Sequence, residues 1–247
     1  MALTVASTGL VALYAVASSF QTSRWENSFV LFQHALRVTS DNAAAHNGLA
    51  GAYLSAGNAR EAIRHYAQAL RIDPGSAHAH HNLGLAFAMR GNTAVAMRHY
   101  QIALALDPQY ARAHNSLGAA WAKLGHWDEA VRHLEVAISM DPRSPDPHMH
   151  WANALFEHGK FEEAVSRYRD ALALGATDPE LHHNLGVALT RLGRYAEARQ
   201  QYDEALRLKP AFPEALRNMG LALSRMGQFA EAHVYLARSL ALRPSDP

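Results

Sequence analysis

The chain is 247 residues long, 49% hydrophobic and 18% charged, with 23 Lys and Arg against 22 Asp and Glu for a formal net charge of +1. This balance supplies neither the basic stripe that a nucleic-acid partner demands nor an acidic interaction tail. There is no cysteine, which excludes a disulfide framework and a thiolate metal centre alike.

Residues 1–23 carry no charged side chain, and Arg24 is the first. Ala2 to Phe20 is apolar apart from small hydroxyls and approaches the ~20 residues that a membrane-spanning helix needs. Residues 1–22 are therefore predicted to be a hydrophobic helix acting as a membrane anchor. Two other readings stand beside that one. Ala15-Val16-Ala17 forms a small-x-small site of the kind that ends a signal peptide, although the residues before it lack the usual basic ones. The segment also suits the first helix of a hairpin that continues into residues 23–42. Arg24 and Arg37 follow it and favour a cytoplasmic location for the rest of the chain.

From residue 43 the sequence repeats every 34 residues, in frames 43–76, 77–110, 111–144, 145–178, 179–212 and 213–246. Place 15 is always glycine (Gly57, Gly91, Gly125, Gly159, Gly193, Gly227) and place 20 always alanine (Ala62, Ala96, Ala130, Ala164, Ala198, Ala232). Place 32 is proline except at Ala176, where the preceding Gly175 can absorb an altered turn. A fixed period of this length is the mark of stacked helical hairpins. Each frame holds two amphipathic stretches of helical length. The glycine ends the first in a left-handed conformation, and the proline stops the second. Small residues at places 8, 20 and 27 let backbones approach closely. Aromatic groups at places 11, 17 and 24 fill the gaps: Tyr53, Phe87 and Trp121, then Phe161, Tyr195 and Phe229, then Tyr66, Tyr100, Tyr168 and Tyr202.

These residues resemble the tetratricopeptide repeat. The resemblance implies an all-α fold, a right-handed superhelical solenoid of antiparallel helix pairs, with six 34-residue units and a degenerate N-terminal unit whose second helix is residues 23–42. In that unit Trp25, Phe32 and Ala35 fall at places 17, 24 and 27 of a frame starting at Gly9, while Ser28 and Ser40 replace the alanine and the proline. The run Trp25-Glu26-Asn27-Ser28, with Leu31 to Leu36 and Val38 to Asn42, is similar to the junction in membrane-bound glycosyltransferase-type proteins where a membrane helix passes into a repeat tail. That similarity implies an array on the outer face, against the arginines. The expected location is membrane-associated with the side left open, or else soluble in the cytoplasm or beyond it.

The chain has no glycine-rich phosphate loop, nucleophile elbow or His-Glu-x-x-His motif, so it is expected not to be an enzyme and to hold no cofactor. Of 16 histidines, five recur at place 4: His46, His80, His114, His148 and His182. Packed helices lie about 8–10 Å apart, whereas the ligands of one ion crowd within a few ångströms, so a ladder repeating once per unit makes no single metal site. His78 and His81 share a helical face but have no carboxylate at ligand spacing. No metal site is predicted.

The resemblance implies that first helices line a concave groove through places 2, 5, 6, 9, 12 and 13. Carried over residue by residue, this gives candidate peptide-binding residues Asn47, His81, Asn82, Asn115, His150, Asn153, His183, Asn184, Arg217 and Asn218. An asparagine offers donor and acceptor together, so a row of them can pair with the amides of an extended chain of any sequence. The row is imperfect, since Gly48, Ser116 and His150 interrupt it. Family members that grip chaperone carboxylates use lysine and asparagine at places 5 and 9; here the first unit has Asn47 and Gly51 and the last Arg217 and Leu221, so that specificity is not expected. The expected function is a non-catalytic module binding an extended peptide or protein partner in the groove. The alternatives are a regulatory or substrate-recruiting tail of a membrane-bound glycosyltransferase, and a scaffold working through its convex face or ends. The last helix lacks a polar capping partner over Tyr235, Leu236 and Leu240, so self-association is expected there.

Overall fold

A computed structural model describes residues 28–242 and contains thirteen α-helices and no strand among them. Helix α1 (Ser28–Val38) precedes six hairpins: α2 (Ala43–Ser55) with α3 (Ala59–Ile72), α4 (Ala77–Met89) with α5 (Thr93–Leu106), α6 (Ala111–Lys123) with α7 (Trp127–Met140), α8 (Asp146–Glu157) with α9 (Phe161–Ala173), α10 (Pro179–Arg191) with α11 (Tyr195–Leu208), and α12 (Pro213–Arg225) with α13 (Phe229–Leu242). The anchor reading of residues 1–22 and the Trp25 place lie outside the described residues. Among the described residues no helix is long and apolar enough to cross a membrane.

The hairpin turn does two jobs with few residues. In the first repeat the Asn58 N–H bonds Tyr53 O at 2.8 Å and the Gly57 N–H bonds Leu54 O at 3.0 Å, the two closing bonds of a Schellman motif. Gly57 takes φ +77, and the other five turn glycines match it within a few degrees. A side chain with a Cβ resists that conformation. Asn58 then caps α3, accepting from the Glu61 N–H at 3.2 Å, and Asn92 caps α5 in the same way. Where the fourth frame lacks its proline, Gly175 adopts φ +88 and α9 ends at Ala173.

The chain forms two compact units that part after Ala113. In the first, Ala50, Ala62, Tyr66, Leu83 and Ala86 make one buried cluster, and Ala77, Ala103 and Ala113 another. The Phe32 ring of α1 lies on Gly48, where any Cβ would stand 2.3 Å from it. In the second unit the core runs without a break from Ala152 to Ala232 and includes Tyr168, Leu181, Leu185, Leu189, Tyr202 and Met219. The place-24 tyrosines are the pivots: Tyr66, Tyr100, Tyr168 and Tyr202 are all 2% exposed or less. Burying one such side chain contributes on the order of 1.5–3 kcal/mol. The other two aromatic places are not core. Tyr53 and Phe87 are half-buried, and Phe229 is 71% exposed.

Candidate functional site

Most of the candidate groove residues are tied to one another. In the second unit the Asn153 Oδ1 accepts from the Tyr168 hydroxyl at 2.6 Å and from the Asn184 Nδ2 at 3.4 Å. The Asn184 Oδ1 lies 3.2 Å from the His183 Nδ1, and the Asn218 Nδ2 lies 2.9 Å from the His183 Nε2. An amide NH₂ can only donate, so the His183 Nε2 is the acceptor and its Nδ1–H donates to Asn184. Asn153, Asn184, His183 and Asn218 thus form one hydrogen-bonded ladder on α8, α10 and α12. A parallel rung joins the His150 Nδ1 to the Asn115 Oδ1 at 2.9 Å.

Burial holds His150 and His183 below the ordinary histidine range, so both rings are neutral at physiological pH. Tyr168 is pushed up chiefly by burial and remains a phenol donor.

The first unit is arranged differently. His81, expected on the groove wall, is inside: it is 4% exposed, and its Nδ1 faces the Tyr110 hydroxyl at 3.3 Å. Burial depresses its pKa to about 4, with Asn82 hydrogen-bonding the ring against that trend. Tyr110 also packs on His78 at 4.7 Å between ring centres, so the two histidines share a phenol rather than an ion. The Asn47 Oδ1 is buried with no hydrogen-bond partner. Arg217 is exposed.

What stands open to a ligand is the ground around the ladder. A cavity of ≈ 570 Å³ is lined by Ala119, Lys123, Trp127, His150, Asn153 and Glu157, among others. A smaller one of ≈ 280 Å³ adjoins Asn153, Phe156, Glu157, Tyr168, Asn184 and Val187. Lys123 and Glu157 are both exposed, and neither forms an ion pair among the described residues. Arg191 and Arg225 occupy the equivalent place 13 of their frames, and Leu221, 50% exposed, occupies the place of Asn153. The larger cavity mixes apolar groups such as Ala119, Ala122, Trp127 and Ala154 with polar ones, as ligand pockets do. Among the described residues no three His, Asp or Glu side chains converge as metal ligands.

One consequence concerns stability rather than binding. Replacing Asn153 with alanine leaves the buried Tyr168 hydroxyl without its acceptor, which should cost about 1–3 kcal/mol. A urea midpoint equal to that of the wild type would show that the hydroxyl finds another partner.

A family model described as a tetratricopeptide repeat matches residues 81–145 and 150–213, more than half of the chain. The chain belongs to the tetratricopeptide repeat family. Two further repeat models match residues 51–91 and 189–247. Tetratricopeptide structures resemble it throughout. A chain of the APC/C hetero-tetramer Cut9–Hcn1 superposes with a TM-score of 0.81 at 19% identity, over 89% of this chain and 43% of that one. The protein therefore spans less than half the length of that relative. Pseudomonas aeruginosa pilF gives 0.71 at 24% identity, covering 83% of this chain and 93% of its own. YrrB, described as a TPR protein with an unusual peptide-binding site, gives 0.51 at 20%, covering 75% and 95%. At these identities the likeness is one of fold. No curated protein sequence matches the tetratricopeptide array.

The tetratricopeptide fold supports a role in protein–protein interaction or scaffolding. The sequence reading found the asparagines by place and type. It missed that the hydrogen bonds of Asn115, Asn153, Asn184 and Asn218 are spent within the scaffold, because a repeat frame fixes where a residue sits and not what it touches. The clue was the place-24 tyrosine, whose hydroxyl in the fourth frame had to find an acceptor.

Proposed function

We propose that the protein is a non-catalytic interaction module that seats an extended peptide or protein segment on the first-helix face of its second unit. The observation that carries this is the ladder of Asn153, Asn184, His183 and Asn218, with cavities opening beside Asn153 and the exposed charges of Lys123 and Glu157 at their edge. The ladder fixes the wall, and the side chains around it meet the partner. Rigid walls lower the ordering cost of association, which is how preorganised surfaces gain affinity. A fold relative described as having a peptide-binding site is in line with this reading.

The asparagines are poor probes of it, since their removal disturbs the wall itself. A Lys123→Ala, Glu157→Ala, Leu221→Ala variant removes exposed groups alone. Partners cross-linked in the native host and identified by mass spectrometry should be lost from this variant, with unchanged helicity. The purified partner should then bind at least about tenfold more weakly, a change of about 1.4 kcal/mol. Equal retention would overturn the groove reading. It would shift the function to scaffolding through other surfaces, such as Val234 and Leu240 on α13, which are 54% and 53% exposed. A role as the tail of a membrane glycosyltransferase rests on the resemblance of the junction near residues 25–42. It would show itself as capture of glycosylated substrates by the intact protein.

A further inference from the structure

The five place-4 histidines do not form a ladder along the array; four are paired across their own hairpin with place 23, and His148 meets Asp170 at place 26. His46 Nδ1 meets His65 Nδ1 at 3.0 Å, His80 Nδ1 meets His99 Nδ1 at 3.2 Å, and His114 Nδ1 meets His133 Nδ1 at 2.9 Å. The ring centres are 5.2–5.4 Å apart, so the two nitrogens lie between the rings and the rings meet edge to edge. Such a contact can hold one proton. Two protonated rings would set N–H against N–H. In the second repeat the roles are assigned by the backbone: the His80 Nε2 donates to the Pro74 carbonyl at 3.3 Å, so a neutral His80 offers its Nδ1 as acceptor and His99 donates.

The fourth and fifth repeats use partners that tolerate charge. His182 Nδ1 donates to the Gln201 Oε1 at 2.9 Å, and His148 stands 3.7 Å from the Asp170 carboxylate, an ion-pair distance beyond a hydrogen bond. Neither contact sets one ring N–H against another.

We propose that the three histidine pairs are acid-operated latches, holding the helices of the first three repeats together at neutral pH and releasing them when both rings of a pair take up protons. The surroundings add to the effect. Tyr53 stacks on His65 and Phe87 on His99, which keeps water from one face of each ring. Arg64 and Arg71 lie near the first pair, Arg98 near the second and Arg132 near the third, all opposing further positive charge. The Glu61 carboxylate beside the first pair acts the other way on His65, and it is itself shared with Arg64 at 3.1 Å. Burial, the largest cause, holds His46, His65, His80, His99 and His133 below their ordinary value.

The sign follows. In the unfolded chain each histidine takes its proton near pH ~6.5, whereas the folded pair resists the second. The unfolded chain therefore binds more protons as the pH falls, so the latches are intact above ~6.5 and weaken progressively below it. His81, His148, His150 and His183 share this sign without belonging to a pair, so the test must separate the latches from them.

A His65→Gln, His99→Gln, His133→Gln variant copies the His182–Gln201 contact into the first three repeats and leaves the other histidines in place. Its thermal midpoint should fall between pH 7.5 and pH 5.0 by about half as much as the wild-type midpoint, or less. Amide protection across residues 43–140 should survive at the lower pH in the variant and not in the wild type. An equal fall in both proteins overturns the proposal. If the variant does not fold at pH 7.5, imidazole NMR on the wild-type chain decides. The proposal requires one proton per pair to be taken up before the helices open. Full titration of all six rings with amide protection unchanged overturns it.

Discussion

Replacing Tyr168 with alanine should remove about 3–5 kcal/mol of stability, a third or more of what a typical domain possesses. The side chain is 1% exposed, and its ring lies in the core with Ala152, Leu155, Leu181 and Leu185. Truncation leaves a cavity there and frees one lone pair of Asn153. Tyr168→Phe keeps the ring and loses the hydroxyl alone. Asn153 still accepts from Asn184, so this variant should lose only about 1 kcal/mol. Denaturant midpoints followed by circular dichroism measure both. Equal losses would mean that the hydroxyl, and not the ring, anchors the hairpin. In a repeat array stability is a sum over neighbours, so amide exchange should place the larger loss in α8 to α10.

Enlarging place 8 should be nearly as damaging, and the size of the effect should depend sharply on the new side chain. A Cβ at Gly186 would stand 2.6 Å from the Tyr202 ring, and at Gly84 2.4 Å from the Tyr100 ring. Yet the first and fourth frames carry Ala50 and Ala152 at this place, opposite Tyr66 and Tyr168, and all four residues are buried. The hairpin can therefore open enough for one methyl group. Gly186→Ala should cost about 1 kcal/mol, at the low end of overpacking, and Gly186→Leu about 3 kcal/mol. If the two variants melt together, the Tyr202 ring moves more freely than its complete burial implies.

The hairpins were legible because their causes are local. A glycine at place 15 and a proline at place 32 each act on the chain within a few residues, so periodicity displays them directly. Gly175 was readable for the same reason. Residues whose meaning depends on a partner one hairpin away were harder. His81 and Asn82 look alike as polar groups on one helix, but His81 turns inward to Tyr110. The place-4 histidines were compared with each other along the array, where distance rules out contact. Their partners were His65, His99 and His133, a fixed 19 residues further on. That spacing was in the sequence, but only the hairpin says that places 4 and 23 face one another.

The two kinds of histidine contact differ in what they imply for the history of the chain. The Nδ1–Nδ1 contact of a latch lies within one frame, so duplication of residues 77–110 would copy the His80–His99 contact whole. The ladder bonds cross frame borders: His150 reaches Asn115, Asn184 reaches Asn153 and Asn218 reaches His183. Inserting a cassette between any two of those frames would strand a partly buried polar group on each side. The latch contacts can therefore be copied with their frame, whereas the ladder of the last four repeats can be read in only one order.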